Sequence, residues 1–230
     1  MPVDSACSDS PCFAYRQPIS TNVCQFEFGD LGKMKCLVVI AHPLQKSLCH
    51  ALEGTVVAAL EESGHSVIVQ NLYEENFNAC LTVNERQTYY SEIYDKESIS
   101  KEIQWLTSAE LLVLVFPTWW FGFPAILKGW FDRVWAPGVA YDHAPDFGPI
   151  KPRLSNLRST IAVTTLGAQW WVDLFIMGRP VRKVLKRAIL GACAPSSQFK
   201  MVSLYGAERL DDKTVTGFCS KVRQIIMRFC

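Results

Sequence analysis

An unbroken apolar run, followed by an aromatic turn and a helix, constrains the fold of this chain more than any other stretch. The run is Leu111 to Phe116, short and rich in bulky and β-branched residues, as is typical of a strand buried in a parallel sheet. Pro117 is expected to end this strand, and Pro124 lies near the first turn of the helix, where a missing N–H costs little. The helix carries apolar residues three and four positions apart, at Phe123, Ile126, Leu127, Trp130, Phe131, Val134 and Trp135. The segment predicts a strand–turn–helix corner of an open α/β sheet.

Four other apolar runs predict four more strands, at Cys36–Ala41, Ser66–Asn71, Ser159–Thr164 and Phe199–Leu204. Helices are predicted between them: from an N-cap at Ser47 to Ser63, in two segments within 85–107, over Phe123–Trp135, from about Pro180 to Leu190, and in a final segment from about Val215 to Phe229. Strands that alternate with helices favour a parallel sheet with right-handed crossovers and helices on both faces. Five such strands suit the flavodoxin-like doubly wound α/β fold, with strand order 2-1-3-4-5.

Length and composition indicate one domain behind a short extension. The chain has 230 residues, 49% of them hydrophobic, which is enough for one substantial core. We assign the domain to residues 34–230. Residues 1–33 are rich in Ser, Asp, Pro and Cys without a sustained period, so they are expected to be a poorly ordered extension. Met34 stands two residues before the first predicted strand, and one hypothesis is that translation begins there.

Charge and hydropathy exclude several classes of function. A net charge of +1 gives no strong field for nucleic acid or for an anionic membrane surface. The longest apolar runs fall short of the roughly 20 residues that cross a bilayer, so membrane insertion is not expected. The N-terminus lacks a secretory apolar core, which favours a cytoplasmic location. The nine cysteines include no C-x-x-C pair, so neither zinc nor a disulfide framework is predicted.

Three unusual loops follow the predicted strands 1, 3 and 4. They are His42–Ser47, Pro117–Gly122 and Thr164–Gly167. In the order 2-1-3-4-5 these strands are neighbours, and ligands bind such sheets at the carboxyl ends of the strands. We therefore expect the three loops to form one ligand site.

The first loop offers a place for an anion. Lys46 and Ser47 stand at a helix start, where free N–H groups and the helix dipole favour negative charge. The pattern is neither G-x-x-x-x-G-K-[ST] nor G-x-G-x-x-G, so two common nucleotide motifs are excluded. An ordinary N-cap beside a solvated lysine explains the residues as well, and His42 is open to a purely structural role.

The second and third loops suit a flat heterocycle. Trp119, Trp120 and Phe121 cannot all point inward, so at least one ring is expected to face the crevice; the alternative is that they cover the sheet edge or a subunit contact. In the third loop, threonine hydroxyls and backbone N–H groups could bind carbonyl oxygens, and Gly167 permits close approach. No G-x-S-x-G elbow occurs, so acyl hydrolysis has no support.

Four separated motifs resemble those of the flavin-dependent NAD(P)H:quinone oxidoreductases of the DT-diaphorase type. They are AHP…S…AL at 41–52, NLYEENFN at 71–78, PTWWFGFPAILKGWFDRV at 117–134 and TTLG at 164–167. The match covers roughly residues 36–205, and the length is similar to that of the shorter bacterial members. The resemblance implies a flavodoxin-like homodimer that binds a flavin, FAD or alternatively FMN, takes hydride from NAD(P)H and passes it to a quinone-like acceptor.

The resemblance also implies roles for individual residues. The flavin phosphate and ribityl contacts correspond to His42, Lys46, Ser47, Leu48 and Cys49. The flavin ring platform corresponds to Pro117, Thr118, Trp119, Trp120 and Phe121, and the loop at its pyrimidine end to Thr164, Thr165, Leu166 and Gly167. Tyr141 and His143 lie where the family places two tyrosines that reach the substrate pocket across the dimer, and they are the predicted catalytic residues.

One departure from the family's pattern concerns the proton. The family's well-known quinone reductases follow the third loop with a Tyr and a His that relay a proton, whereas this chain has AQWWVDLFIMG at 168–178. The proton must then come from solvent, Tyr141 or His143. Two other functions stay open on the sequence alone: a regulatory subunit of a glutathione-gated potassium efflux system, with a peripheral membrane partner, and an electron carrier without small-molecule turnover.

Overall fold

Five parallel strands and two short antiparallel ones form the β-structure of the computed structural model, which describes residues 32–91, 94–143 and 148–229. In chain order the strands are β1 (Lys35–Ile40), β2 (Ser66–Asn71), β3 (Leu111–Pro117), β4 (Tyr141–Asp142), β5 (Lys151–Pro152), β6 (Ser159–Leu166) and β7 (Gln198–Tyr205). The parallel sheet has the order β2-β1-β3-β6-β7, so the predicted order 2-1-3-4-5 is confirmed. The predicted extension lies outside the described residues, apart from its last two positions.

The helices lie between the strands, as the sequence predicted. They are α1 (Leu48–Glu62), α2 (Val83–Thr88), α3 (Ser100–Ser108), α4 (Ala125–Val134), α5 (Pro180–Lys183), α6 (Leu190–Cys193) and α7 (Asp212–Phe229). A 3₁₀ turn precedes α3 at Glu97–Ile99, and wider π-helical turns occupy Val172–Ile176 and Val184–Ile189. No helix among the described residues is long and apolar enough to cross a membrane.

Alternation along the central strands creates a core on each face of the sheet. Leu37 and Val39 of β1 point to one face, where α3 and α4 pack, and their neighbours Cys36 and Val38 point to the other, which α1 and α7 cover. The seven residues of β3 are all buried, as expected for a strand with a helix layer on either side. Two helix layers thus leave the ends of the strands as the place where loops can form a site.

Local features depart from the sequence predictions at three points. β3 includes Pro117, and β6 continues to Leu166, so most of the third predicted loop is strand. Tyr141–Asp142 pairs antiparallel with Lys151–Pro152, a ladder that the sequence did not predict. Within α4, Gly129 lies close to the backbone of Ala79 in the same chain.

Candidate functional site

Direct contacts join the three loops at the carboxyl ends of β1, β3 and β6. The N–H of Thr118 donates to the carbonyl of Thr165 at 2.7 Å, which joins the second loop to the third. The Cys49 thiol lies 3.8 Å from the Thr165 hydroxyl, which joins helix α1 to β6. The rings of His42 and Trp119, whose centroids are 6.4 Å apart, join the first loop to the second. The predicted convergence of the loops is present in the fold.

The first loop ends in a capped helix start. Ser47 accepts from the N–H of His50 and also shares a hydrogen bond with the His50 ring at 3.0 Å, while Lys46 is exposed beside it. On its other side the His50 ring contacts the Asn71 amide at 3.2 Å. His50 was not predicted as a site residue. Its spacing of three from the N-cap serine was the signal that could have found it, because a residue at that position reaches back to the cap.

Burial sets the protonation of two groups in this region. It lowers the pKa of His42 below its usual value, an effect to which the neighbouring His50 adds and which a hydrogen bond with Leu44 opposes. The imidazole is therefore more readily neutral than a free histidine. Burial raises the pKa of the Cys49 thiol to about 11, which the hydrogen bond with Thr165 only partly offsets. Cys49 is thus a neutral packing group, not a reactive thiolate.

The second loop is a tight turn made by aromatic residues in an unusual backbone conformation. The N–H of Gly122 donates to the carbonyl of Trp119 at 2.8 Å, and the two residues between them, Trp120 and Phe121, have φ values of 50° and 55°. Positive φ at both central positions is the mark of a type I′ turn, which glycine and asparagine normally fill. Non-glycine residues in such conformations cluster at functional sites. The turn leaves Trp120 100% exposed.

The Trp120 ring makes no buried contact, so replacing the residue should affect stability through the backbone conformation and not through loss of packing. We expect Trp120→Gly to raise the free energy of unfolding of the flavin-free protein by roughly 1 kcal/mol, since glycine adopts positive φ without strain. Trp120→Ala removes the same ring but keeps a Cβ, so it should leave stability nearly unchanged. Urea unfolding of both variants measures the difference. Equal stability of the glycine and alanine variants would contradict the assignment of strain to this position.

Hydroxyl groups around the third loop are satisfied within the chain, with one exception. Thr164 is fully buried and donates to Ser203 at 2.9 Å, so its hydroxyl serves the β6–β7 contact. The hydroxyl of Thr165 shares a hydrogen bond with the Cys49 thiol. The hydroxyl of Thr118, in contrast, is buried and has no hydrogen-bond partner. A buried hydroxyl without a partner where three loops meet is the atom that an incoming polar group would satisfy.

Tyr141 and His143 lie in a second aromatic cluster. Their ring centroids are 5.0 Å apart, and His143 is also 5.0 Å from the ring of Tyr90. The hydroxyls of Tyr141 and Tyr89 share a hydrogen bond, and burial is the main cause that raises the pKa of both. Tyr141 therefore stays protonated and can donate a hydrogen bond. Among the described residues, the ring contacts and the side-chain hydrogen bond of this pair are with Tyr89 and Tyr90.

The fold agrees with the comparison against known families. A family model described as the flavodoxin-like fold matches residues 34–223, most of the chain. The chain belongs to this flavodoxin-like family. The match includes the three loops and every strand of the parallel sheet.

Within the flavodoxin-like family, the curated relatives bear out the resemblance drawn from the motifs. NAD(P)H dehydrogenase (quinone) 1 of Rattus norvegicus is 34% identical over 152 residues, which is 58% of this chain and 54% of that protein. An uncharacterized NAD(P)H oxidoreductase of Haemophilus influenzae is 40% identical over 109 residues, 47% of this chain and 54% of that protein. The matched part thus spans about half the length of these two relatives.

A solved structure of similar length extends the comparison. The NAD(P)H:quinone oxidoreductase of Methanothermobacter marburgensis superposes with a TM-score of 0.74 at 25% identity, covering 86% of this chain and 100% of that one. In this chain the three loops lie at the carboxyl ends of neighbouring parallel strands, the place where open α/β sheets generally bind ligands.

Proposed function

We propose that this flavodoxin-like protein is an NAD(P)H-dependent flavoprotein that reduces a quinone or a similar aromatic acceptor. The observation that carries the proposal is the buried, unpartnered hydroxyl of Thr118 at the junction of three loops, beside an exposed aromatic turn. The relatives named as NAD(P)H dehydrogenases and quinone oxidoreductases support the same class of reaction. We propose FAD as the flavin, with FMN as the alternative, and NAD(P)H as the co-substrate.

The residues present fit a flavin. The start of α1, with the Ser47 cap and exposed Lys46, would hold a phosphate on its free N–H groups. Trp119 and Trp120 would pack against the ring system, and the Thr118 hydroxyl would bind one of its polar atoms. A bound flavin would supply the hydride chemistry between NAD(P)H and the acceptor. The protein's part is to orient the ring and to satisfy its polar edge.

A homodimer completes this proposal. We propose that Tyr141 and His143 reach the acceptor pocket of a second copy, where Tyr141, with its raised pKa, holds a proton at its hydroxyl. The cluster of these residues with Tyr89 and Tyr90, apart from the chain's own three loops, supports that arrangement. Light scattering of the purified protein tests it directly, and the mass of a single chain across the working concentration range would overturn it.

The reaction is tested on the protein purified with its flavin. Addition of NADH or NADPH without oxygen should bleach the absorbance of the oxidised flavin, and addition of a quinone should restore it. Mass measurement of the released cofactor identifies FAD or FMN. If neither nicotinamide bleaches the flavin, the proposed reaction is wrong. If bleaching occurs but no quinone restores the absorbance, the acceptor class is wrong.

Replacing Thr118 with valine tests the role of the unpartnered hydroxyl. We expect the Thr118→Val protein to bind flavin about tenfold more weakly, the effect of losing one good hydrogen bond, while the flavin-free protein keeps its stability. Thr160→Val is the matched control, because this buried hydroxyl on β6 is paired with Ser197 at 3.0 Å. That variant should lose about 1 kcal/mol of stability and bind flavin normally. Equal flavin affinity of Thr118→Val and wild type would contradict the assigned role.

A further inference from the structure

A groove along the free edge of the sheet is left unused by the proposed reaction. Strand β7 is last in the sheet order, so in the described part of the chain one of its edges faces no other strand. Side chains from this strand, from the segment before α5 and from α7 enclose a cavity of about 270 Å³ beside that edge. Thr118 and Leu166 of the three-loop site also line this cavity. The groove is therefore continuous with the ligand-binding end of the sheet.

The groove is strongly basic. Its described lining includes four cationic side chains, namely Arg179, Arg182, Lys200 and Lys221. None of the four forms an ion pair with a carboxylate among the described residues. The carboxylate of Asp173, which also lines the groove, accepts a hydrogen bond from the Tyr205 hydroxyl at 2.9 Å. The net charge of the lining is thus positive, whereas the chain as a whole is close to neutral.

Local structure holds the two arginines at the groove. Arg179 has a φ of 55° and follows Gly178 with a φ of 67°, so two successive residues adopt the left-handed conformation before Pro180. The N–H of Arg179 donates to the carbonyl of Asp173 at 2.8 Å, which closes this turn. The guanidinium of Arg182 lies over the ring of Phe199, 5.6 Å from its centroid. Both arginines line the same cavity beside β7.

We propose that this groove binds the phosphate-bearing adenosine end of NADPH and makes the protein prefer NADPH to NADH. The inference rests on the proposed function, because it places the nicotinamide end at the three-loop site. The 2′-phosphate adds charge of about −1.5 to −2 at pH 7 and three strong acceptor oxygens, which suit a cluster of arginines and lysines. NADH lacks this phosphate and would offer the four cations only its pyrophosphate.

The test measures binding of adenosine 2′,5′-bisphosphate to the purified, flavin-loaded protein by titration calorimetry. 5′-AMP is the matched probe without the 2′-phosphate. We expect the bisphosphate to bind at least about tenfold more tightly than 5′-AMP, and the difference to shrink with added salt because the cations are exposed. Equal affinity of the two probes, or no binding of either, overturns the proposal.

Variants locate the site. Arg182→Gln and Lys200→Gln should each weaken bisphosphate binding about tenfold and raise the KM for NADPH about tenfold, more than they raise the KM for NADH. Lys186→Gln is the control, since Lys186 is exposed in the same basic segment but does not line the groove. An equal loss in Lys186→Gln overturns the assignment. The binding measurement needs no turnover, so it still gives an answer if the proposed reaction fails; conversely, NADH-driven quinone reduction can persist if the groove proposal fails.

Discussion

Replacing Glu85 with alanine is expected to lower the free energy of unfolding by about 3–5 kcal/mol. Glu85 and Arg133 form an ion pair whose side chains are only 2% and 3% exposed. Arg133 also donates to the carbonyl of Asn78 and to the Ser98 hydroxyl. Loss of the carboxylate leaves a buried guanidinium without its charge partner, and desolvation makes such a group very unfavourable. Thermal and urea unfolding measure the effect.

Two controls define this result. Glu62→Ala removes a carboxylate from an exposed pair with Arg223, and it should change stability by no more than about 1 kcal/mol. The double variant Glu85→Met, Arg133→Met removes both charges and should recover much of the lost stability. A loss below about 1 kcal/mol in Glu85→Ala would show that the pair does not act as an isolated buried unit.

The same pair gives the stability a dependence on pH. Burial alone would raise the pKa of Glu85, but hydrogen bonds from Arg133 and from the Thr82 cap outweigh it, so the pKa lies below its ordinary value. A carboxylate with a depressed folded-state pKa contributes stability above its unfolded-state pKa of about 4.3, and that stability is lost as pH falls through the folded value. Stability measured between about pH 5 and pH 2 should fall more steeply in wild type than in Glu85→Gln.

Gly129→Ala is expected to destabilise the protein by about 2 kcal/mol, although alanine is the better helix former. A Cβ at this position would lie 2.1 Å from the carbonyl oxygen of Ala79, so backbone must move. Overpacking of this kind typically costs about 1–3 kcal/mol, more than the roughly 1 kcal/mol of helix propensity that alanine adds. Urea unfolding gives the sign as well as the size.

Gly54 provides the matched control, because it is an exposed glycine inside helix α1, and a Cβ added there would meet no atom within 4 Å. Gly54→Ala should stabilise the protein by up to about 1 kcal/mol. Opposite signs for the two substitutions would establish that the contact with Ala79, not the helix itself, requires glycine. Stabilisation by both would disprove the close approach.

The sequence predicted the sheet well because its three central strands, β1, β3 and β6, are buried on both faces. Short apolar runs such as Leu111–Phe116 and Cys36–Ala41 are typical of strands buried in a sheet. Their alternation with helices indicates that the strands are parallel. The strand order alone also predicted the place where the three loops meet. The proposed roles of the residues in those loops came from family resemblance and stay proposals.

Features that depend on contacts between distant residues could not be read from the sequence. The β4–β5 ladder is two residues long on each side and carries no periodic signal. Gly129 contacts Ala79, which lies in a distant loop, so the sequence of α4 alone does not identify this contact. The cations of the groove come from three separate parts of the chain, and only the fold brings Arg179, Lys200 and Lys221 to one edge.

One turn of α4 holds the connection between β2 and α3. Arg133 binds Asn78, Glu85 and Ser98, while the hydroxyls of Tyr89 and Tyr94 donate to the carbonyls of Asp132 and Arg133 at 3.3 and 3.2 Å. Helix α2, with six residues, is too short to persist alone. Because its attachments converge on so few residues, we expect the described part of this connection to open as one cooperative unit rather than to fray. Such an opening would release Tyr89 from Tyr141 while the hydrogen bonds that join the three loops stay closed.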